Sequence, residues 1–443
     1  MSDILRHDLF KAKTVYIMAL NIPETKLKRL VVIGAGFAGL KLVKKLRASD
    51  YQIVLIDRHN FHQFQPLFYQ VAVAGLEPSS ISFPLRRMFQ KNYRIFIRLT
   101  EVTHISTESK TVHTLHGELT YDLLVMATGA VTNFFGMNDL AQLSFGMKTV
   151  EEALGIRNTI LKNYEMALVA DTDEERNALM KIAIVGGGPT GVELSGALAD
   201  MRRFVLPKDY PDLDFEQMEI FLIEASPGLL NGMSDKSSAK AADFLRGLGV
   251  NVMTNEQVVG YANNLVKFKD GKTLPSATLI WAAGVTGAPP AGFEDKHLGR
   301  GKRLMVDAFN RVKGFADVYA IGDIALMDGP DFPKGHPQVA QVAIQQANNL
   351  AANLKTKNSD NWKPFRYKDK GSMATIGRNK AVVDLPYLSF HGLFAWLVWM
   401  FVHLVSIIGV KNKIFIFINW IWNYFTYDQS LRLIIKQRVP KKE

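Results

Sequence analysis

The chain contains no cysteine. A dithiol or disulfide redox centre, a cysteine nucleophile and an iron–sulfur cluster all need thiolate sulfur, so none of them can operate here. The ten histidines lack the H-x-x-x-H spacing or clustered acids of a metal centre, and no metal site is read from them. Acidic residues are in the minority, with 42 Asp and Glu against 53 Lys and Arg and a formal charge of +11. From Lys411 onward seven bases (Lys411, Lys413, Arg432, Lys436, Arg438, Lys441, Lys442) meet only two acids, Asp428 and Glu443. Their neighbours are Phe, Ile, Leu and Trp, which points to an anionic lipid surface and away from nucleic acid. The stretch Met1 to Lys28 carries Asp3, Asp8 and Glu24 and only a short, broken apolar run, so it does not read as a signal peptide.

What is present begins with length. At 443 residues, half of them apolar, the chain is expected to form two or three globular domains. From Lys28 it reads KRLVVIGAGFAGLKLVKKL and then YQIVLIDR. Leu30 to Ile33 is apolar at every position, as a parallel strand covered on both faces must be. Gly34, Gly36 and Gly39 follow as G-x-G-x-x-G, a helix comes next, and a second strand, Ile53 to Ile56, ends on Asp57. Gly34 makes the tight turn, Gly36 lets the backbone approach a pyrophosphate, Gly39 permits close helix–strand packing, and Asp57 can accept from a ribose. The helix N-terminus supplies unpaired N–H groups to the phosphates.

The pattern recurs. Lys181 to Val185 reads as a strand, Gly186, Gly188 and Gly191 form the second triplet, and the next strand ends on Glu224 after a long loop. Ala225, Ser226 and Pro227 offer no base for a 2′-phosphate, so NADH is read in preference to NADPH. Two dinucleotide folds in one chain point to two dinucleotides exchanging a hydride.

At this point the sequence resembles the two-dinucleotide-binding-domain flavoproteins, in which an NAD(P)H domain is inserted into an FAD domain. YDLLVMATGA (Tyr121 to Ala130), TLIWAAGV (Thr278 to Val285) and DVYAIGDIA (Asp317 to Ala325) match the remaining landmarks in that order. The resemblance implies an α/β fold of two Rossmann-like domains, followed here by C-terminal membrane-associated helices. It implies FAD contacts at Gly34, Gly36, Phe37, Ala38, Gly39, Asp57, Thr128, Gly129 and Asp323, the last on the ribitol chain. For NADH it implies Gly186, Gly188, Pro189, Thr190, Gly191, Glu193, Glu224 and Gly284. The expected division is an N-terminal extension (1–28), the first FAD half (29–145), the NADH domain (146–285), the second FAD half with a quinone-site helix (286–384) and a membrane-anchoring region (385–443).

Two segments bear on the electron acceptor. AQVAIQ, Ala340 to Gln345, opens an Ala/Gln-rich helix on which Gln341 and Gln345 share a face. Leu385 to Val410 carries no Asp, Glu, Lys or Arg, a run long enough to cross a bilayer. Its weak polar stripe of His391, Ala395, His403 and Ser406 favours lying in the interface instead. Ile414 to Tyr427 reads as an amphipathic interfacial helix, with Asn419, Asn423 and Thr426 on one side and Trp420, Trp422 and Phe425 on the apolar face. A dimer interface is the competing reading of this tail, and a homodimer is left open.

With FHQFQPLFYQVAVAGLEPSSISFPLRRMF (Phe61 to Phe89), GSMATIGRNKAVVDL (Gly371 to Leu385) and the tail included, the chain resembles the type II NADH:quinone oxidoreductases from Lys28 to Ile435. These are single-subunit, non-pumping respiratory dehydrogenases. The resemblance implies a quinone-orienting role for Gln341 and Gln345, and a place for Glu193 near the nicotinamide–flavin contact. It also implies a peripheral or monotopic protein, on the cytoplasmic face of a bacterial inner membrane. Ubiquinone and menaquinone present the same head-group carbonyls, so these residues fit either. Two other readings stay open on the residues alone: a flavin reductase serving a protein acceptor, and a redox-sensing flavoprotein.

Overall fold

The computed structural model describes residues 20–427 and 431–434. The expectations for residues 1–19 and for Lys436, Arg438, Lys441 and Lys442 lie outside the described residues. Contacts divide the chain into two compact units, one of Met1–Asn60, Met88–Gly129 and Ala288–Phe365, the other of Phe61–Arg87, Ala130–Gly287 and Arg366–Glu443.

The first unit is built on five parallel strands in the order Val318–Ala320, Leu123–Met126, Lys28–Ile33, Tyr51–Asp57 and Ile95–Leu99. Leu30, Val31 and Val32 are fully buried, which accounts for the unbroken apolar run. Each such side chain contributes about 1.5–3 kcal/mol on burial. The helices Phe37–Leu46 and Ala340–Lys355 pack on each other. Because Ile33 stands opposite both Ile56 and Met126, the residues that follow these strands (Gly34, Asp57 and Ala127) gather at one sheet edge. Ligands of open parallel sheets bind at that carboxyl edge.

The second unit repeats the plan with four parallel strands, Val250–Thr254, Ile220–Glu224, Ile182–Val185 and Thr278–Trp281. Val185 pairs with Ile223 and Trp281, so Gly186, Glu224 and Ala282 meet at the equivalent edge. Helix Val150–Ala167 starts at a capping box, in which Thr149 accepts from the Glu152 N–H and Glu152 accepts from the Thr149 N–H. The same unit holds an antiparallel sheet of Ser372–Thr375, Ala381–Leu385 and Leu388–His391, followed by helices Leu393–Ser406 and Val410–Thr426.

The charge-free run from Leu385 to Val410 is therefore not one element. Pro386 and then Gly392, at φ +86°, interrupt it, and Gly409, at φ +87°, separates the two helices. A continuous α-helix tolerates neither a positive φ nor an interior proline. The 14-residue helix is about 21 Å long against a hydrocarbon core of about 30 Å. Among the described residues no helix is long and apolar enough to cross a membrane.

The last helix also corrects one expectation. Trp420 is buried, facing the protein, and its Nε1–H donates to Gln70 Oε1 at 2.8 Å. The expected polar side faces the protein with it: Asn423 donates to Asn419 Oδ1 at 2.9 Å and to the Gly75 carbonyl at 3.4 Å. Polar groups that find partners in the body leave the opposite face mainly apolar, and Ile414, Phe415, Ile418, Ile421, Trp422 and Phe425 are exposed. Ala395 and His403 of the preceding helix likewise turn inward. The His403 ring stacks on Trp399 at 4.0 Å, and burial pushes it down to about 4.

Candidate functional site

In the first unit the glycine loop leaves no room for side chains where the chain folds tightly. Gly34 sits at φ +100°, and a Cβ there would stand 2.3 Å from the Ala127 carbonyl oxygen. One at Gly39 would stand 1.9 Å from the Gly34 oxygen. Gly36 is different: a Cβ would meet nothing within 4 Å, so its bareness keeps space open above the helix N-terminus formed with Phe37 and Ala38. Asp57 Oδ2 accepts from the Ala35 N–H at 2.6 Å, and Oδ1 from the His59 N–H at 2.7 Å, which aims the carboxylate along the loop. At the end of strand Leu123–Met126, Thr128 has a buried hydroxyl with no partner among the described residues, beside Gly129 at φ +71°. A cradle that a methyl would fill and an unspent buried hydroxyl fit a bound dinucleotide.

The second unit reproduces this geometry. Gly186 is at φ +113° with the Ala282 oxygen 2.4 Å from an added Cβ, and a Cβ at Gly191 would lie 2.0 Å from the Gly186 oxygen. Gly188 again faces open space, with Pro189 and Thr190 opening helix Pro189–Phe204. Glu224 Oε2 accepts from the Gly187 N–H at 2.6 Å, matching the Asp57 contact to Ala35. Its Oε1 accepts from the Ser226 N–H and hydroxyl at 2.8 and 2.5 Å. The long loop before this strand thus does not displace the acid. Gly284, at φ +151°, follows strand Thr278–Trp281. Beyond Glu224 lies a groove of about 610 Å³ lined by Arg246 together with Asp235 and Asp243.

Glu193 projects from the second turn of helix Pro189–Phe204 and is buried. Burial pushes its carboxyl up to about 8, against the pull of the Thr375 N–H, which donates to Oε1 at 3.4 Å. The Trp399 indole pulls the same way, though its Nε1 stands outside hydrogen-bond geometry. Tyr69 is buried beside this carboxyl, and burial first, then Glu193, hold its phenol well above the ordinary range. The close approach of the Thr375–Arg378 turn depends on Gly196, where a Cβ would stand 2.7 Å from the Ile376 carbonyl carbon. Tyr69, Thr375, Arg378 and Trp399 line an aromatic pocket of about 140 Å³ with Asp200, Trp396 and Trp420.

Gln341 and Gln345 occupy the first turns of helix Ala340–Lys355 in the first unit, both half-buried. The next residue has a role that spacing alone did not reveal. Gln346 is buried, and its Oε1 accepts from the Gly322 N–H at 2.7 Å. It thereby holds the turn Gly322–Ile324 that carries Asp323. Tyr69, Thr375 and Trp399 were likewise missed as neighbours of Glu193. They come from three distant segments, and no local period marks them; the signals were the Phe61 to Phe89 and Gly371 to Leu385 segments, in which Tyr69 and Thr375 lie.

Comparison with known proteins follows this geometry. Residues 28–347 match the family model described as pyridine nucleotide-disulphide oxidoreductase, and residues 370–427 match the NDH2 C-terminal domain. Without cysteine the chain cannot carry the disulphide of the first description. The chain is 35% identical to the type II NADH:quinone oxidoreductase Ndh of Mycobacterium tuberculosis, over 93% of this chain and 91% of that protein. It is 30% identical to a mitochondrial internal alternative NAD(P)H-ubiquinone oxidoreductase A1 of Solanum tuberosum, over 92% and 88%. In fold it is similar to NDH2 from Plasmodium falciparum in complex with NADH, with a TM-score of 0.84 at 23% identity, covering 93% of this chain and 100% of that one.

Proposed function

The chain belongs to the type II NADH:quinone oxidoreductases, and from that membership we propose how its residues divide the work. It is an FAD-dependent enzyme that oxidises NADH and reduces quinone without pumping protons. Bound FAD supplies the redox chemistry, accepting a hydride from NADH and passing two electrons to quinone. The protein supplies binding, orientation and the electrostatic setting.

The observation that carries the assignment of residues is the doubled glycine-and-acid loop. Gly34, Gly36, Phe37, Ala38, Gly39, Asp57, Thr128, Gly129 and Asp323 hold FAD; Gly186, Gly188, Pro189, Thr190, Gly191, Glu224 and Gly284 hold NADH. Each acid is already oriented by the N–H that follows the first glycine, so it can accept ribose hydroxyls without reorganising. In the groove beyond Glu224 two carboxylates outweigh Arg246, which disfavours a 2′-phosphate and supports NADH over NADPH. Glu193, a carboxyl kept protonated near neutral pH, lies on the nicotinamide side. Gln341 and Gln345 donate to the quinone carbonyls. The functional division remains the first FAD half at 29–145, the NADH domain at 146–285, the second FAD half at 286–384 and the membrane-anchoring region from 385.

The test of the quinone side uses detergent-solubilised holoenzyme and a short-chain quinone. Gln341→Ala is expected to lower quinone-dependent turnover about three- to tenfold, the worth of one hydrogen bond to a carbonyl, while anaerobic flavin reduction by NADH keeps its rate. If quinone fails to reoxidise flavin in the parent enzyme, a protein acceptor becomes the reading.

The outward apolar face of Val410–Thr426, with Lys411 and Lys413 at its start, supports monotopic attachment to an anionic bilayer. The cytoplasmic face of a bacterial inner membrane suits an enzyme taking a soluble nicotinamide and a bilayer quinone. The higher identity to the mycobacterial relative favours that setting. Replacing Trp422 and Phe425 together by Ser removes two exposed anchors, worth roughly 3–6 kcal/mol of burial. Co-sedimentation with anionic vesicles should then fall at least about a hundredfold, with activity toward a water-soluble quinone retained. Unchanged sedimentation would place the membrane contact elsewhere.

A further inference from the structure

In the second unit the strands Val131–Thr132 and Val285–Thr286 pair antiparallel, and the first leads into a turn fixed at three points by Asn133. The Asn133 N–H donates to the Gly284 carbonyl at 3.0 Å, and its own carbonyl accepts from the Trp281 indole N–H at 2.7 Å. Its Oδ1 accepts from the Phe135 N–H at 2.9 Å. Phe134 is partly buried and stacks on Trp281 at 6.1 Å. Phe135 turns outward: it is 61% exposed and meets the same indole only edge-on, at 6.5 Å. Its backbone is at φ +52°, a left-handed conformation that glycine or asparagine adopts at less cost than a bulky side chain. An exposed ring contributes little to packing, so folding gives no reason for phenylalanine here. Backbone strain of this kind clusters at ligand clamps and active sites.

Strand order fixes what lies beside the ring. Glu224 ends the strand on one side of Ile182–Val185, and Gly284 follows the strand on the other. Gly186 packs between them: a Cβ there would stand 2.4 Å from the Ala282 oxygen and 2.6 Å from the Ala283 nitrogen. A dinucleotide with its adenosine ribose on Glu224 and its pyrophosphate over the glycine loop therefore carries its other end toward Gly284. Phe135 Cζ lies 3.5 Å from where a Gly284 Cβ would be. We propose that the Phe135 ring packs against the nicotinamide–ribose end of bound NADH and holds it over Gly284. This rests on the reading of the second glycine loop as the NADH site, and it adds the group that secures the reacting end. Gly284, bare and at φ +151°, lets ring and ligand approach the backbone together. Against an aromatic face the nicotinamide end loses the freedom that a flexible dinucleotide keeps beyond its pyrophosphate.

NAD and AMP separate this role from a structural one, because AMP carries the adenosine end alone. Calorimetric titration of the holoenzyme should show NAD affinity lowered about five- to tenfold in Phe135→Asn, the worth of one aromatic contact, with AMP affinity within about twofold of the parent. Asparagine accepts a positive φ, so this variant should melt at or above the parent temperature. Phe135→Tyr keeps the ring face and should bind NAD like the parent. In steady state the KM for NADH should rise with the lost affinity, while the KM for a short-chain quinone holds. Parent-like NAD affinity in Phe135→Asn would overturn the proposal. So would an equal loss of NAD and AMP, which would make Phe135 a residue that only shapes the loop. A parent enzyme that bound neither nucleotide would overturn the assignment of the second loop itself, and the holding role with it.

Discussion

Gly188→Ala is expected to fold like the parent and to lose its hold on NADH. Gly188 adopts φ −72° and ψ 179°, a conformation open to any L-residue, and its added Cβ would meet nothing within 4 Å. Replacing glycine where the backbone permits it stabilises by about 0.4–1 kcal/mol through the unfolded chain, so the melting temperature should hold or rise. The methyl, however, enters the space into which the pyrophosphate must come to reach the helix N–H groups. A loss of about 3 kcal/mol there weakens NADH binding at least about a hundredfold, while FAD, held by the other loop, stays at parent content. Gly191→Ala should behave in the opposite way. Its Cβ would stand 2.0 Å from the Gly186 carbonyl oxygen, and neither backbone segment can move aside cheaply, so the protein should melt earlier. NADH titration and thermal melts on both variants check the contrast. Parent-like NADH affinity in Gly188→Ala would remove the nucleotide from this loop.

Glu193→Gln is expected to change the pH dependence of stability more than any other single substitution. Burial raises the Glu193 carboxyl from an ordinary 4.5 to about 8. Between those values the folded protein keeps a proton that the unfolded chain has released. The stability contributed by the protonated form is therefore fully present below about pH 4.5 and is lost as the pH rises through about 8. Roughly 3–5 kcal/mol is at stake across the window. Glutamine cannot ionise, so the variant should gain on the parent from pH 5 to about pH 8 and level off above that, as measured by thermal melts of the two holoenzymes. Parallel curves would mean that the carboxyl ionises normally and that its surroundings are wetter than the packing of Tyr69, Thr375 and Trp399 indicates.

The two nucleotide loops were legible because their causes are local. A strand apolar at every position, glycines at fixed offsets and an acid ending the next strand are dictated by backbone sterics and by one helix terminus. Both loops have the same geometry, down to the N–H that aims each acid. The absence of cysteine was equally decisive, since composition alone removes thiol chemistry. The tail was legible only in part. Its apolar content foretold an exposed apolar face, but the side on which Trp420, Asn419 and Asn423 lie depends on Gln70 and Gly75, some 350 residues earlier in the chain. Helical period can separate two faces without saying which of them meets the protein. The surroundings of Glu193 were decided wholly by tertiary structure. Burial, opposed by the Thr375 N–H and the Trp399 indole from distant segments, sets the charge on that carboxyl, and none of these is a property of residues adjacent in sequence.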